Sequence, residues 1–214
     1  MILISIITTI LSLLFIALSY FGITRYLYLH LYSCERYIEK YKDLPKANDN
    51  RVVLTFTTTP EKIDKLKPMI NSLLDQTVRV NQIIMVIPEY DKSKYNIPDY
   101  LKNIVTIIPS GKNYGEGTKL IPTLLREKDS DTIIIAINDN IIYGKDFIQE
   151  MIEKSNKNPD TIILENNNNS ILVKPICFNI DVINRAKEIF DNDWFISKAK
   201  NNKILHYSEN YKCL

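Results

Sequence analysis

The chain has 214 residues, 45% of them hydrophobic and 24% charged, which is enough for one α/β domain with a sizeable core and a short accessory segment, and too few for two catalytic domains. A net charge of +2 at pH 7 gives no electrostatic footprint for nucleic acid, which is excluded as a partner class. Cys34, Cys177 and Cys213 are widely spaced without a CxxC pair, and the chain has only 2 histidines, so neither a zinc site nor a disulfide framework is expected.

Ile2 to Phe21 carries no charged side chain, and its length suits a helix crossing a hydrocarbon core of about 30 Å. Tyr20, Phe21, Tyr26, Tyr28 and Tyr32 supply an interfacial aromatic band beyond it. A cleaved signal peptide is the competing reading, with Ala17-Leu18-Ser19 as a small-x-small site, but the basic n-region is missing. An uncleaved single-pass anchor over residues 1–24 is therefore expected. Arg25, Arg36, Lys40 and Lys42 follow the span and none precede it, which places the large domain on the cytosolic side. Asn168-Asn169-Ser170 would be a glycosylation sequon if that domain faced a lumen instead. Leu27, Leu31, Cys34, Ile38 and Tyr41 form a helical stripe, read as a stalk that continues the membrane helix through a linker over residues 25–49.

The remainder, residues 50–214, alternates strands and helices. Arg51 to Thr57 reads as a buried strand, and Thr59 and Pro60 as the cap and first turn of a helix. Ile63, Leu66, Ile70, Leu73 and Leu74 give that helix an apolar stripe, with a break at Pro68. Strands are predicted at Gln82–Ile87, Ile104–Ile108, Thr132–Ile137, Thr161–Leu164 and Ile171–Val173. Helices are predicted at Gly117–Arg126, Lys145–Lys154 and Asp181–Phe190. This order implies a mostly parallel sheet covered by helices on both faces.

Three segments carry the polar groups that such a sheet presents at the carboxyl ends of its strands. Thr57, Thr58 and Thr59 offer hydroxyls and amides suited to a phosphate or nucleotide, although simple capping also accounts for them. Gly111 to Lys119 places Gly115 and Gly117 beside the hydroxyl of Thr118 and the ammonium of Lys119, without the Gly-Lys-Ser/Thr order of a P-loop. Asn138-Asp139-Asn140 ends the charge-free fourth strand with one carboxylate between two amides.

The order strand, Thr-Thr-Thr-Pro, Ser72-Leu73-Leu74-Asp75-Gln76-Thr77, strand, Gly115-x-Gly117-Thr118-Lys119-Leu120, Asn138-Asp139-Asn140 and then Tyr143 resembles GT-A-fold glycosyltransferases over residues 51 to 200. It is most similar to short family-2-like enzymes, including those of large DNA viruses. The resemblance implies a GT-A (Rossmann-like) sheet and transfer of a sugar from a nucleoside diphosphate sugar to an acceptor hydroxyl of unknown identity, with inversion. By position it assigns the nucleotide to Thr57–Thr59, the donor to Gly115, Gly117, Thr118 and Lys119, and the ribose and a manganese or magnesium ion to Asn138, Asp139 and Asn140. Asn192-Asp193-Trp194-Phe195-Ile196-Ser197 is similar to the segment carrying the catalytic base, making Asp193 the candidate base and Asp191 its backup. His206 falls where some relatives place a metal-binding histidine, an ordinary strand-edge histidine being the alternative.

Where the family pattern has carboxylates this chain has Asn138 and Asn140, and a neutral amide loses charge at a hard-cation site. A relative that binds a nucleotide sugar or a protein partner without turnover is therefore the alternative, and a nucleotide-binding sheet protein unrelated to sugars the third reading.

Overall fold

The computed structural model describes residues 2–20, 22–111, 114–165, 169–179, 181, 185, 197–198 and 203–207. The first helix, α1 (Ile2–Tyr20), buries none of its side chains and is long and apolar enough to cross a membrane. It does not continue as the expected stalk. Gly22, at φ 74°, and the extended Tyr32 and Ser33 break the chain into α2 (Ile23–Leu31) and α3 (Cys34–Lys42). Both pack on α4 (Lys67–Leu74). Leu29, Cys34 and Tyr37 are the side chains they bury, while Leu27 and Leu31 of the expected stripe stay exposed, because the break rotates one helix against the other. Polar contacts fix the same junction. Asn71 donates its amide to the carbonyls of Leu29 (2.8 Å) and Tyr32 (3.1 Å), satisfying acceptors that the end of α2 leaves open. Arg25 pairs with Asp75 at 2.8 Å and donates to the Tyr143 carbonyl at 3.0 Å.

β1 (Val52–Thr57) runs parallel to β2 (Gln82–Pro88) on one side and to β4 (Ile133–Ile137) on the other. These strands show near-continuous burial with no polar face because both sides of the sheet are covered. Alternation instead divides the apolar residues between the two faces. Leu54, Phe56, Met85, Ile135 and Ile137 face α2, α3, α4 and α7 (Phe147–Lys157), whereas Ile134 and Ala136 face α6 (Ile121–Arg126). The remaining strands are β3 (Thr106–Ser110), β5 (Ile162–Glu165), β6 (Ser170–Val173) and β7 (Ile204–Tyr207), with α5 (Asp99–Lys102) before β3. Among the described residues the sheet has seven strands in the order β3-β2-β1-β4-β6-β5-β7, with β6 antiparallel to its neighbours.

This is the layered α/β class expected from the sequence: a mostly parallel sheet flanked by helices and preceded by an apolar helix. Several boundaries differ. No helix begins at Pro60; a 3-10 turn spans Ile63–Lys65, and Pro68 lies in the first turn of α4, where its missing N–H costs nothing. Gly117–Arg126 is not one helix but a 3-10 segment, Gly115–Lys119, followed by α6. β3 begins two residues later than predicted, after the unpredicted α5, and β7 adds a strand that no periodicity marked. Of the helix expected at 181–190, residues 181 and 185 are described and are helical, and the others lie outside the described residues.

Candidate functional site

β1 is followed by β2 and β3 on one side, and β4 then returns to its other side. The chain's outward path therefore reverses between β1 and β4, and a crevice opens at their carboxyl ends. A cavity of about 400 Å³ lies there, within the ordinary range for small-molecule sites. Thr57, Thr58 and Thr59 line it from β1, Asn138, Asp139 and Asn140 from β4, and Gly115, Thr118 and Lys119 from the 3-10 segment. Of the sequence-predicted donor residues, Gly117 alone does not reach it; it is buried, with its N–H on the Tyr114 carbonyl. Gly115 adopts φ 54°, a conformation that favours glycine and lets the segment turn against the cavity.

Buried hydrogen bonds position these groups. Thr55, under the cavity floor, donates to the Lys119 carbonyl and shares a 2.8 Å contact with Thr123, fixing the 3-10 segment to β1. The Lys119 side chain, only 5% exposed, directs Nζ to Asn138 Oδ1 at 2.5 Å. Thr118 Oγ1 accepts the Tyr114 N–H at 2.8 Å. Asp139 accepts from Thr58 Oγ1 at 2.8 Å on one carboxylate oxygen, and its other oxygen lies 3.6 Å from Lys62 Nζ.

Tyr143 is fully buried, and its hydroxyl accepts the Asn138 N–H at 2.9 Å while lying within donating distance of the Asn138 and Asn169 carbonyls. Burial holds that phenol well above its ordinary pKa, so it remains a neutral donor and acceptor.

The Ser72-to-Thr77 motif does not line the cavity; it holds the loop behind it. Ser72 Oγ accepts the Tyr143 N–H at 3.1 Å. Gln76 donates to the Gly144 carbonyl at 2.6 Å and accepts the Ile148 N–H at 3.0 Å, and the Thr77 N–H reaches the Lys145 carbonyl at 3.1 Å. Next to this frame, Glu165 at the end of β5 is buried and accepts from Ser170 at 3.0 Å and Asn169 at 3.5 Å. Desolvation raises its pKa, against the lowering effect of those two hydrogen bonds.

Sequence reasoning missed Lys62 and Tyr95, which also line the cavity. Tyr95 donates to the Thr58 carbonyl at 2.7 Å from an irregular connection that has no periodic signal. Lys62 lies in the turn after Pro60, and its signal would have been a cation a few residues beyond a phosphate-compatible threonine loop. Asp191 and Asp193 lie outside the described residues. His206 is exposed on β7, and Cys34 and Cys177 are buried and unbridged; burial pushes the Cys34 thiol up to about 11.

The expected divalent-cation site does not fit the side chains present. A hard dication takes several oxygen ligands, preferably anionic. Among the described residues Asp139 is the single carboxylate lining the cavity, with Thr58 on one oxygen and Lys62 beside the other. Asn138 turns its oxygen to Lys119, and among the described residues no group of three His, Cys, Asp or Glu side chains converges.

No protein-family model matches this chain, and no curated protein matches it in sequence. Its structure is similar to 4-diphosphocytidyl-2C-methyl-D-erythritol synthase from Anaerococcus prevotii DSM 20548, with TM-score 0.52 and 8% identity over 77% of this chain and 89% of that one. A mannosyltransferase from Pyrobaculum calidifontis, solved with GDP-Man and Mn2+, gives TM-score 0.47 and 10% identity over 90% of this chain and 64% of that one.

Proposed function

We propose that this chain is a membrane-anchored glycosyltransferase that moves a sugar from a nucleoside diphosphate sugar to an acceptor hydroxyl, with inversion. The observation that carries the reading is the cavity at the β1/β4 reversal, where a threonine loop, two lysines and Asp139 converge. Thr57 to Thr59 suit the nucleotide, and the ammonium groups of Lys62 and Lys119 suit the diphosphate.

In the proposed reaction the acceptor oxygen attacks the anomeric carbon as its proton passes to a carboxylate base. The bond from that carbon to the diphosphate breaks, and the electron pair leaves with the diphosphate beside the lysines. Asp193, or Asp191, is assigned the base role from the sequence resemblance. In this reading helix α1 is the membrane anchor, supported by its length and apolar surface, and the Lys and Arg residues that follow it favour the cytosolic side for the domain.

Nucleotide sugars are the probe. The full chain in detergent micelles is expected to melt at a higher temperature with one of the UDP or GDP sugars and to release the nucleoside diphosphate from it. Asp139→Ala is expected to cut that release about 10²-fold, the cost of misplacing Lys62, the group it positions. The amides of Asn138 and Asn140 favour a second reading, a binder without turnover. Binding of a nucleotide sugar that is never consumed, across acceptors and metals, would establish that one, and no response to any nucleotide sugar would refute both.

A further inference from the structure

We infer that the lysine ammonium groups, and not a divalent cation, neutralise the diphosphate in this cavity, an inference that rests on the donor-site reading above. Among the described side chains lining the cavity, Lys62 and Lys119 are cationic and Asp139 alone is anionic. The sum is 2 − 1 = +1, matched to an anionic ligand without any added ion. Carboxylates at Asn138 and Asn140 would make the sum −1, and such a cavity would need a cation before it could accept a diphosphate. The amides and the lysines therefore form one consistent set: charge absent from the strand end is matched by charge present beside it.

The geometry gives the two lysines different roles. Lys119 is buried and its backbone is fixed by Thr55, so its ammonium is preorganised at the cavity wall and costs little to order when a ligand arrives. Lys62 has 53% of its side chain exposed, and its Nζ lies 3.6 Å from Asp139 Oδ1, longer than a direct hydrogen bond. That spacing leaves the ammonium N–H donors to take a phosphate oxygen while the carboxylate stays beside it. Asp139 has 11% of its side chain exposed and is pinned by Thr58, which makes it a positioning residue that holds Lys62 over the cavity. A metal-bridged diphosphate would require the Asp139 carboxylate to leave Lys62 for the ion. In the arrangement proposed here it stays in place.

The test is titration calorimetry on the full chain in detergent micelles with UDP, GDP, CDP and ADP, first in excess EDTA and then with excess Mn2+ or Mg2+. One nucleotide is expected to bind in EDTA with an affinity within about threefold of that with metal. Lys62→Gln is expected to weaken it about tenfold or more, the equivalent of one charge-assisted hydrogen bond. Because Lys62 is half-exposed, an unchanged melting temperature for Lys62→Gln will separate loss of binding from loss of fold. Binding that disappears in EDTA and returns with Mn2+ overturns the inference and leaves the donor site standing. Unchanged affinity in Lys62→Gln also overturns it, and binding of no nucleotide under either condition refutes the inference and the donor site together.

Discussion

Removing residues 1–49 is expected to unfold the protein, whereas removing residues 1–22 is not. Helix α1 buries none of its side chains, so its loss leaves no cavity and opens no hydrogen bond in the core. The next two helices differ. Leu29, Cys34 and Tyr37 are 0%, 2% and 7% exposed, and withdrawing them from the core costs roughly 4.5–9 kcal/mol at about 1.5–3 kcal/mol for each side chain. Asn71 loses the Leu29 and Tyr32 carbonyls that receive its amide, at about 1–3 kcal/mol for a buried donor left unmet. The Arg25–Asp75 pair is about a quarter exposed and adds at most about 1 kcal/mol after solvent screening. The total approaches the about 5–15 kcal/mol that holds an ordinary domain together. At about 2–4 °C per kcal/mol for a chain of this size, even partial folding of residues 50–214 would show a melting point tens of degrees lower. Circular dichroism melts and size-exclusion profiles of residues 23–214 and 50–214 make the comparison. If residues 50–214 are monomeric and melt cooperatively within about 5 °C of residues 23–214, the packing argument is wrong and residues 23–42 are an accessory after all.

Tyr143→Phe keeps a ring that packs at 4.5 Å on Phe147 and removes only the hydroxyl at Asn138. It is expected to cost about 1–2 kcal/mol, read as a melting-point drop, and to weaken nucleotide binding; unchanged affinity would mean that the hydroxyl does not hold the site. Glu165→Gln tests the buried carboxyl whose pKa is raised by desolvation. Between its unfolded and folded values the native state holds a proton that the unfolded chain has released, so wild-type stability falls as pH rises through that window. The melting-point advantage of Glu165→Gln over wild type should therefore grow as pH rises above the ordinary carboxylate range, and a pH-independent difference would refute the assignment. Asn140→Asp adds a second carboxylate beside Asp139 and is expected to make nucleotide binding respond to Mn2+. Equal affinities with and without the ion in that variant would show that charge at the strand end is not what sets metal use.

The parts legible in the sequence were those in which local pattern and global position coincide. Val52 to Thr57 and Ile133 to Ile137 are charge-free and β-branched because both their faces are buried, and the polar residues that end them had to lie at the carboxyl edge of a parallel sheet. That Thr57 to Thr59, Lys119 and Asn138 to Asn140 would gather at one edge was legible for that reason. Lys62 and Tyr95 were not, since each reaches the cavity from an irregular segment whose path is set by tertiary contacts. The reversal of β6 was hidden similarly: the short run Ser170–Val173 is buried on both faces and carries no mark of direction. In residues 23–42 the stripe from Leu27 to Tyr41 assumes one continuous helix, and the extended pair Tyr32–Ser33 breaks that phase and brings Leu29 and Tyr37 to the core.

The geometry of the strand end also depends on elements that never touch the cavity. Beyond Ile137, Asn138 is held by the Asn169 carbonyl and by the Tyr143 hydroxyl, which can engage both its N–H and its carbonyl. That peptide sets the direction of Asp139, and so the place where Lys62 is held. Tyr143 is in turn fixed by Ser72 on its N–H and by Arg25 on its carbonyl, while Gln76 secures Gly144 and Ile148 on the same loop. Each of these bonds contributes only about 1 kcal/mol net, yet misplacing a reacting group by about 1 Å can cost about 10²-fold in rate. Arg25 belongs to the helix that directly follows the membrane-length α1 and reaches the carbonyl of the residue whose hydroxyl holds Asn138. Helix α2 is therefore part of the frame that aims the site, which is why a domain cut at residue 50 would lose its geometry as well as its stability.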